Sequence, residues 1–517
     1  MNDQLPMHDS LSDESDRLPI LAIVGVQGHL KIIPALAKHF QRPIEVMVIT
    51  GQGMEYAKSL DSSNVAKVHS LPDWHKRLWV EVSRMSDSEV VRESRDLQED
   101  LRLNSVNPYH YFDRNIRNLS SWFAVIRRHL INLRFVKHLL VNRKYHFIRG
   151  ENTSHVGCMI QAAAPGLGHR FLRPSNARLP RRIGFDGRPH AKNLGWESCY
   201  RNICNGAEPD ESIVRGADEW LEKFRNRPER PEWAQRNSRL KFSPIKSTKS
   251  YSKLMIGKLN RLFTKSSEHQ KFDRDIGFAR STGLNFAQHV IFPDIRSAVH
   301  RRRKLFRSCP SLEGDFVYYP LHYTPEISTL VYGYRYEEQL SLIRALSAYL
   351  PTGCRLLVKE HTSMLGRRPY GFYKKLDSYY NVEFVPPGVS TFELIQKSIA
   401  VATITGTAGF EAFALGKPVF VFGDVFYRYF PNVLPLEIGP DMGCLIRSYL
   451  DGFVPDREEI RNCILAYFAS TYRSTMVDVG HETTAQQGTT EAQNFANACE
   501  WALEMMSSEL QAEDVQS

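Results

Sequence analysis

Five short runs decide the fold: FVYYPL (316–321), RLLVK (355–359), VEFVP (382–386), IAVATIT (399–405) and VFVFG (419–423). Each is apolar along its length instead of alternating, as expected of a strand covered on both faces. Helical patterns lie between them. Residues 337–350 carry Leu340, Ile343, Leu346 and Leu350 at helical spacing, and 370–379 reads as a second helix. Ser390-Thr391-Phe392-Glu393 opens a third as a capping box, and 408–415 forms a fourth before Gly416-Lys417-Pro418. Five strands alternating with four helices predict a doubly wound parallel sheet.

The same rhythm opens the chain. LPILAIVG (18–25) reads as a buried strand, 30–40 as a helix and 44–50 as a second strand. The turn Gln27-Gly28-His29 lacks a full GxGxxG, so it is read as fold chemistry and not as a dinucleotide site. Residues 115–140 form an amphipathic helix with Trp122, Val125, Ile126 and Leu130 on one face. YHFIR (145–149) is a short strand, and Gly150-Glu151-Asn152-Thr153 leads into a helix through Ala164. The run 174–187 (PSNARLPRRIGFDG) reads as a loop. The expected organisation is an acidic tail at 1–17, a Rossmann-like domain at 18–230, a basic connector at 231–312, a second Rossmann-like domain at 313–470, and a tail with a last helix at 471–517. The fold class is therefore α/β, two Rossmann-like domains facing a cleft.

Composition narrows the function. The 517 residues are 42% hydrophobic and 24% charged, ordinary globular usage. No run approaches the ~18 apolar residues of a membrane span. The polar, acidic start is unlike a signal peptide, so a cytoplasmic protein is expected. Eight scattered cysteines form no CxxC, which points to free thiols and no zinc site. The net charge of +10 is concentrated: residues 237–307 hold 17 Lys or Arg against four Asp or Glu. No zinc-finger, RNP-like or KH-type pattern accompanies that stretch, so nucleic acid is not the expected partner.

Ligands of open α/β sheets bind outside the carboxyl ends of the strands, and three strand ends here are polar. Thr405-Gly406-Thr407-Ala408-Gly409-Phe410-Glu411 joins a strand to a helix N-terminus. Its backbone N–H groups and the hydroxyls of Thr405 and Thr407 suit a phosphate. Glu411 either accepts from a ribose hydroxyl or buttresses the turn. Lys359-Glu360-His361 ends another strand, where His361 can contact a leaving phosphate or act as a general acid. Pro320-Leu321-His322-Tyr323-Thr324-Pro325-Glu326 ends the third. An acceptor hydroxyl needs a base if the reaction inverts, with Glu151 the first candidate and Asp186 the second. Arg178, Arg181 and Arg182 are placed to hold an anionic acceptor or a donor carboxylate. Asp273-Arg274-Asp275 has the form of a metal-binding DxD but lies in the connector and follows no strand.

LHYTPE, VKEH, the STFELI segment and ATITGTAGFEAFALGKPV, in this order, resemble the bacterial capsule polysaccharide biosynthesis proteins, a superfamily that includes the capsule Kdo transferases. The resemblance covers roughly 315–433, with GENTSHVG and PSNARLP as weaker anchors upstream. It implies a GT-B fold and metal-independent transfer of a sugar from a nucleotide-sugar, as substrate and not as cofactor, onto a growing capsule or surface polysaccharide. Carried across by position, His361 contacts the donor phosphate, and Thr405, Gly406, Thr407 and Glu411 form the nucleotide site. His322, Glu326 and Lys359 join them. The chain departs from the family's His-Pro at Thr362. The implied acceptor is lipid-linked or an oligosaccharide, with capsule assembly proteins and an anionic inner-membrane surface as further partners. Arg301-Arg302-Arg303-Lys304 is the preferred membrane contact. A CDP-polyol phosphotransferase and a non-catalytic assembly or export partner are the alternatives.

Overall fold

The computed structural model describes residues 18–24, 32–226, 310–474 and a terminal helix at Ala485–Gln516, apart from positions 59, 62, 114–115, 118–120, 151–153, 187–191 and 370. The basic connector, with Asp273-Arg274-Asp275 and Arg301–Lys304, lies outside the described residues, as does Glu151.

Each half of the chain builds one six-stranded sheet. In the first, β1 (Ile20–Val24), β2 (Ile44–Val48), β3 (Lys67–Ser70), β4 (Ile148–Arg149), β5 (Phe171–Asn176) and β6 (Ile183–Asp186) lie in the order β3-β2-β1-β4-β5-β6. In the second, β7 (Phe316–Pro320), β8 (Arg355–Lys359), β9 (Val382–Val385), β10 (Ala400–Thr403), β11 (Val419–Val421) and β12 (Val433–Pro435) lie in the order β9-β8-β7-β10-β11-β12. Both follow the Rossmann order, with the direction of winding reversing between the first and fourth strands. The second sheet is parallel throughout. The two-domain Rossmann-like reading is borne out.

The expected loop at 174–187 is instead the end of β5, a turn and β6, paired antiparallel with Arg173 opposite Asp186. Its polar composition hid a hairpin whose charges answer one another across the strands. Arg181 makes the turn with φ of +52°. β3 and β12 fall outside the strands that the apolar runs predict, and the helix expected from 115 starts at Trp122, where Ser121 accepts from the Ala124 amide. Trp122 is mostly exposed, whereas Arg127 is buried, donating to Asp87 at 2.7 Å and to the Met85 carbonyl.

Packing does not follow chain order. Helices Trp196–Cys204 and Glu211–Asn226 put Trp196, Leu221 and Phe224 into one core with Phe410, Phe413 and Tyr467 of the second half. The terminal helix returns Phe495, Cys499 and Ala502 to the core of β1 and β2. The chain therefore crosses between the halves more than once, and a bridge between Ile183 and Tyr472 marks one return. The seven described cysteines are free thiols. Among the described residues no helix is long and apolar enough to cross a membrane.

Candidate functional site

A cleft of about 740 Å³ opens between the halves, over the carboxyl ends of β7, β8 and β10. At its centre lies the second sheet's switch point, between β7 and β10. His322, just beyond β7, is buried and reaches across to β10. Its Nε2 accepts from the Thr405 amide at 3.2 Å and lies 3.2 Å from the Thr403 hydroxyl. Burial, then the nearby Arg368 guanidinium, push the imidazole down to about 3, so it is neutral. An accepting Nε2 places the ring proton on Nδ1.

That tie shapes the turn read as a phosphate site. The Gly406 amide donates to Thr403 Oγ1 at 3.0 Å, and Thr405 Oγ1 donates to the Ser328 carbonyl at 3.0 Å. Tyr427 donates to the Gly406 carbonyl at 2.6 Å. Helix Thr407–Ala414 then starts with Gly406 as N-cap and no side-chain cap, its first turn facing the cleft. A Cβ on Gly406 would come within 2.7 Å of Thr403 Oγ1 and 3.1 Å of His322 Nε2, so the close approach requires glycine. Thr407 and Glu411, one turn on, also line the cleft.

The β8 end is held by a buried ion pair. Glu360 accepts from Arg368 Nε at 2.9 Å and Nη2 at 2.8 Å, from the Tyr373 hydroxyl at 2.8 Å and from the His361 amide at 2.6 Å. Arg368 also donates to the His322 carbonyl at 2.7 Å, joining the β7 and β8 ends. This leaves His361 exposed on the cleft wall, with its Nδ1 accepting from the Ser363 amide at 3.3 Å. His361 holds φ −68° and ψ 125°, an extended backbone compatible with a following proline, although Thr362 follows it here. Lys359 lines the cleft too, but its ammonium donates to the Val389 carbonyl at 2.5 Å and to Thr391 at 2.9 Å. Glu326 is at the rim, accepting from the Ser328 hydroxyl at 2.9 Å.

The first half contributes Asp186, Arg178 and Asn193 to the opposite wall. Asp186 is buried against Arg173. Burial, then the Asp424 carboxylate, push it well above the usual carboxylate range. The three arginines diverge. Arg178 lines the cleft, and its amide donates to the Tyr467 hydroxyl at 3.1 Å. Arg182 turns away, donating to Thr471 Oγ1 at 2.7 Å and to the Phe468 carbonyl at 2.7 Å. Arg181 sits exposed at the hairpin turn and is not among the residues that line the cleft.

Among the described residues, no group of three or more His, Cys, Asp or Glu is arranged to hold a metal ion. What the cleft offers is an uncapped helix N-terminus, hydroxyls, an exposed imidazole and the tethered Lys359 ammonium on the second half, facing Asp186 and Arg178 of the first. Sequence reasoning missed Asp424, Glu360 and Arg368. Glu360 had a signal, being a charged residue inside the Lys-Glu-His strand end, whereas Arg368 and Asp424 had none.

Fold and site together define a two-domain α/β protein with a cleft between paired Rossmann-like sheets. Residues 329–430, the segment carrying the β10 turn, match the family model described as capsule polysaccharide biosynthesis protein. Protein FixF of Sinorhizobium fredii is 35% identical over 121 residues, 22% of this chain and 27% of FixF. That match spans about a quarter of the relative's length. Among solved structures, a Thermosulfurimonas dismutans KpsC β-Kdo 2,4 transferase is 14% identical with a TM-score of 0.32, over 63% of this chain and 78% of that one. The KpsC β-Kdo 2,7 transferase of the same organism is 12% identical with a TM-score of 0.33, over 73% and 90%.

Proposed function

We propose that this protein is a glycosyltransferase of the GT-B type that moves a sugar from a nucleotide-sugar onto a growing capsule or surface polysaccharide. The observation that carries the reading is the β7–β10 switch point, where a neutral His322 holds the Thr405–Thr407 turn so that an uncapped helix start faces the cleft. Such a helix end binds a nucleotide's phosphates through backbone N–H groups and the helix dipole. Thr407 adds a hydroxyl, Glu411 lies one turn deeper for a ribose hydroxyl, and His361 stands on the wall to meet the leaving phosphate. In this reading the phosphate charge is met by these groups and not by a metal ion. The match over 329–430 supports the link to polysaccharide assembly. The acceptor enters from the side of Arg178 and Asp186.

A thermal-shift panel of CMP, CDP, UDP and GDP tests this. A bound nucleotide at 100 times its Kd stabilises by about 2.7 kcal/mol, so one of the four should raise Tm clearly. Gly406→Val, which drives a side chain into Thr403 and His322, should abolish that shift while the protein still unfolds cooperatively. No shift with any nucleotide, or an unchanged shift in the variant, would reject the site.

A further inference from the structure

One segment of the second half reaches across to the first. Beyond β7 the chain forms the short helix Ile327–Leu330 and then a 3-10 turn at Tyr334–Tyr336. On its own side this arm is fixed to the floor of the donor site. The Ser328 carbonyl accepts from the Thr405 hydroxyl at 3.0 Å, and the Tyr332 carbonyl accepts from the Asp424 amide, just past β11, at 2.7 Å. That packing has no slack. A Cβ on Gly333 would come within 2.3 Å of Ile404 Cγ2, and one on Gly423 within 2.9 Å of the Tyr332 carbonyl oxygen.

Three of the arm's side chains meet the first half. The Tyr334 ring packs 5.4 Å from that of Phe112, and Glu337 pairs with Arg117. Both contacts lie partly in solvent. The third is buried: the Tyr332 ring lies 5.0 Å from the guanidinium carbon of Arg173 on β5, a residue only 4% exposed. Arg173 pairs across the hairpin with Asp186, and its Nε has no hydrogen-bond partner among the described residues. Its guanidinium is therefore held by a carboxylate of its own half and a ring of the other. Asp186 and Tyr332 both line the cleft, and Arg173 joins them.

We propose that Tyr332 is a positioning residue for the transfer: its ring links the Thr405–Thr407 turn to Arg173, and through Arg173 to Asp186 and the β5–β6 hairpin of the acceptor side. The proposal rests on the glycosyltransferase reading of the cleft. A cation over an aromatic face is attracted by the ring's quadrupole, more strongly where water is excluded. Nucleotide phosphates at the helix start restrain the turn, and the arm bonded to that turn is restrained with it. The hairpin that the Tyr332 ring holds then loses freedom as well, so donor binding orders the acceptor side before the acceptor arrives.

Hydrogen exchange of the hairpin, residues 171–186, tests this with and without whichever of CMP, CDP, UDP and GDP raises Tm. In the wild type the nucleotide should slow exchange there about 5-fold or more, the lower end of coupling between linked sites. Tyr332→Phe keeps the aromatic face and should keep the slowing. Tyr332→Leu should lose it with nucleotide affinity unchanged, because the backbone bonds of the arm remain. Glu337→Gln removes only the solvent-screened pair and should keep the slowing. A second readout needs no variant: the Arg173 Nε–H resonance should be shifted upfield by the Tyr332 ring and should move when nucleotide binds. Slowing that persists in Tyr332→Leu, that is lost equally in Glu337→Gln, or that is absent from a wild type that binds nucleotide overturns the proposal and leaves the glycosyltransferase reading standing. An Arg173 resonance that nucleotide leaves in place does the same, even where Tyr332→Leu does not fold. If none of the four nucleotides binds the wild type, the glycosyltransferase reading fails and the proposal with it.

Discussion

The two sheets share one strand order, yet they tie their first and fourth strands together by opposite means. In the first sheet the tie runs from the fourth strand: Arg149 on β4 donates to the Ile23 carbonyl on β1 at 2.8 Å. In the second it runs from the first strand: His322 beyond β7 accepts from the Thr405 amide beyond β10. A cation thus closes one switch point and a neutral imidazole the other. The difference matters because only the second leaves the adjoining helix start without competition from a fixed charge of the tie itself. The backing differs as well. Behind the first sheet's strand ends lies a neutral imidazole chain, His75 donating to Asn132 at 2.8 Å and Asn132 to His155 at 2.7 Å, with the His129 ring 4.8 Å from His155. Behind the second lies the Glu360–Arg368 ion pair.

The largest predicted effect separates the halves by pH. Burial pushes His75 and His129 down to about 4, and His155 well below its ordinary value. Below about pH 6.5 the unfolded chain binds protons that these folded imidazoles refuse, so stability is intact above that pH and falls as the solution is acidified toward the folded values. Each costs on the order of 1–2 kcal/mol by pH 5. Hydrogen exchange between pH 7 and 5, corrected for intrinsic rates, should show the first half losing protection before the second, where only His322 is comparable among the groups named here. Equal loss in both halves would erase the distinction.

Next in size is Glu360→Ala. It strands the Arg368 guanidinium in a buried site and should cost about 3–5 kcal/mol in a denaturant titration. Because Arg368 also holds the His322 carbonyl, nucleotide affinity should fall in the folded fraction. A cost under 1 kcal/mol would mean that water replaces the carboxylate, and that the ion pair is not what holds this half. The smallest effect belongs to the seam. Arg461 and Asp218 are joined by two 2.7 Å hydrogen bonds between helix Glu211–Asn226 and helix Arg457–Ala469, but both are more than 40% exposed. Arg461→Ala should change stability by less than about 1 kcal/mol, because solvent screens the pair and the apolar contacts of Leu221 and Phe224 hold the helices. A larger loss would make the seam an electrostatic one.

Much of the second half was legible in the sequence, and the reason is physical. Its strands are buried on both faces, so they appear as unbroken apolar runs that local reading finds without knowing the fold. The Thr405–Glu411 turn was legible for a similar reason: a strand end, small residues and a helix start are adjacent in the chain. The first half was harder. β4 is two residues long and the hairpin of β5 and β6 is polar, because its charges pair with each other.

By itself the sequence determined the α/β class, the parallel second sheet, the helix start that faces the cleft and the exposed imidazole on its wall, since each depends on residues close together in the chain. Only the tertiary structure decided which helices serve which half, that Arg127 is buried, that Lys359 is spent on the 389–391 backbone and Thr391 hydroxyl, and that Asp186 and Asp424 line one cleft. Those are contacts between residues tens to hundreds of positions apart. Whether a charge is buried, paired or left facing a ligand is set by what the other domain brings to it, and no local pattern encodes that.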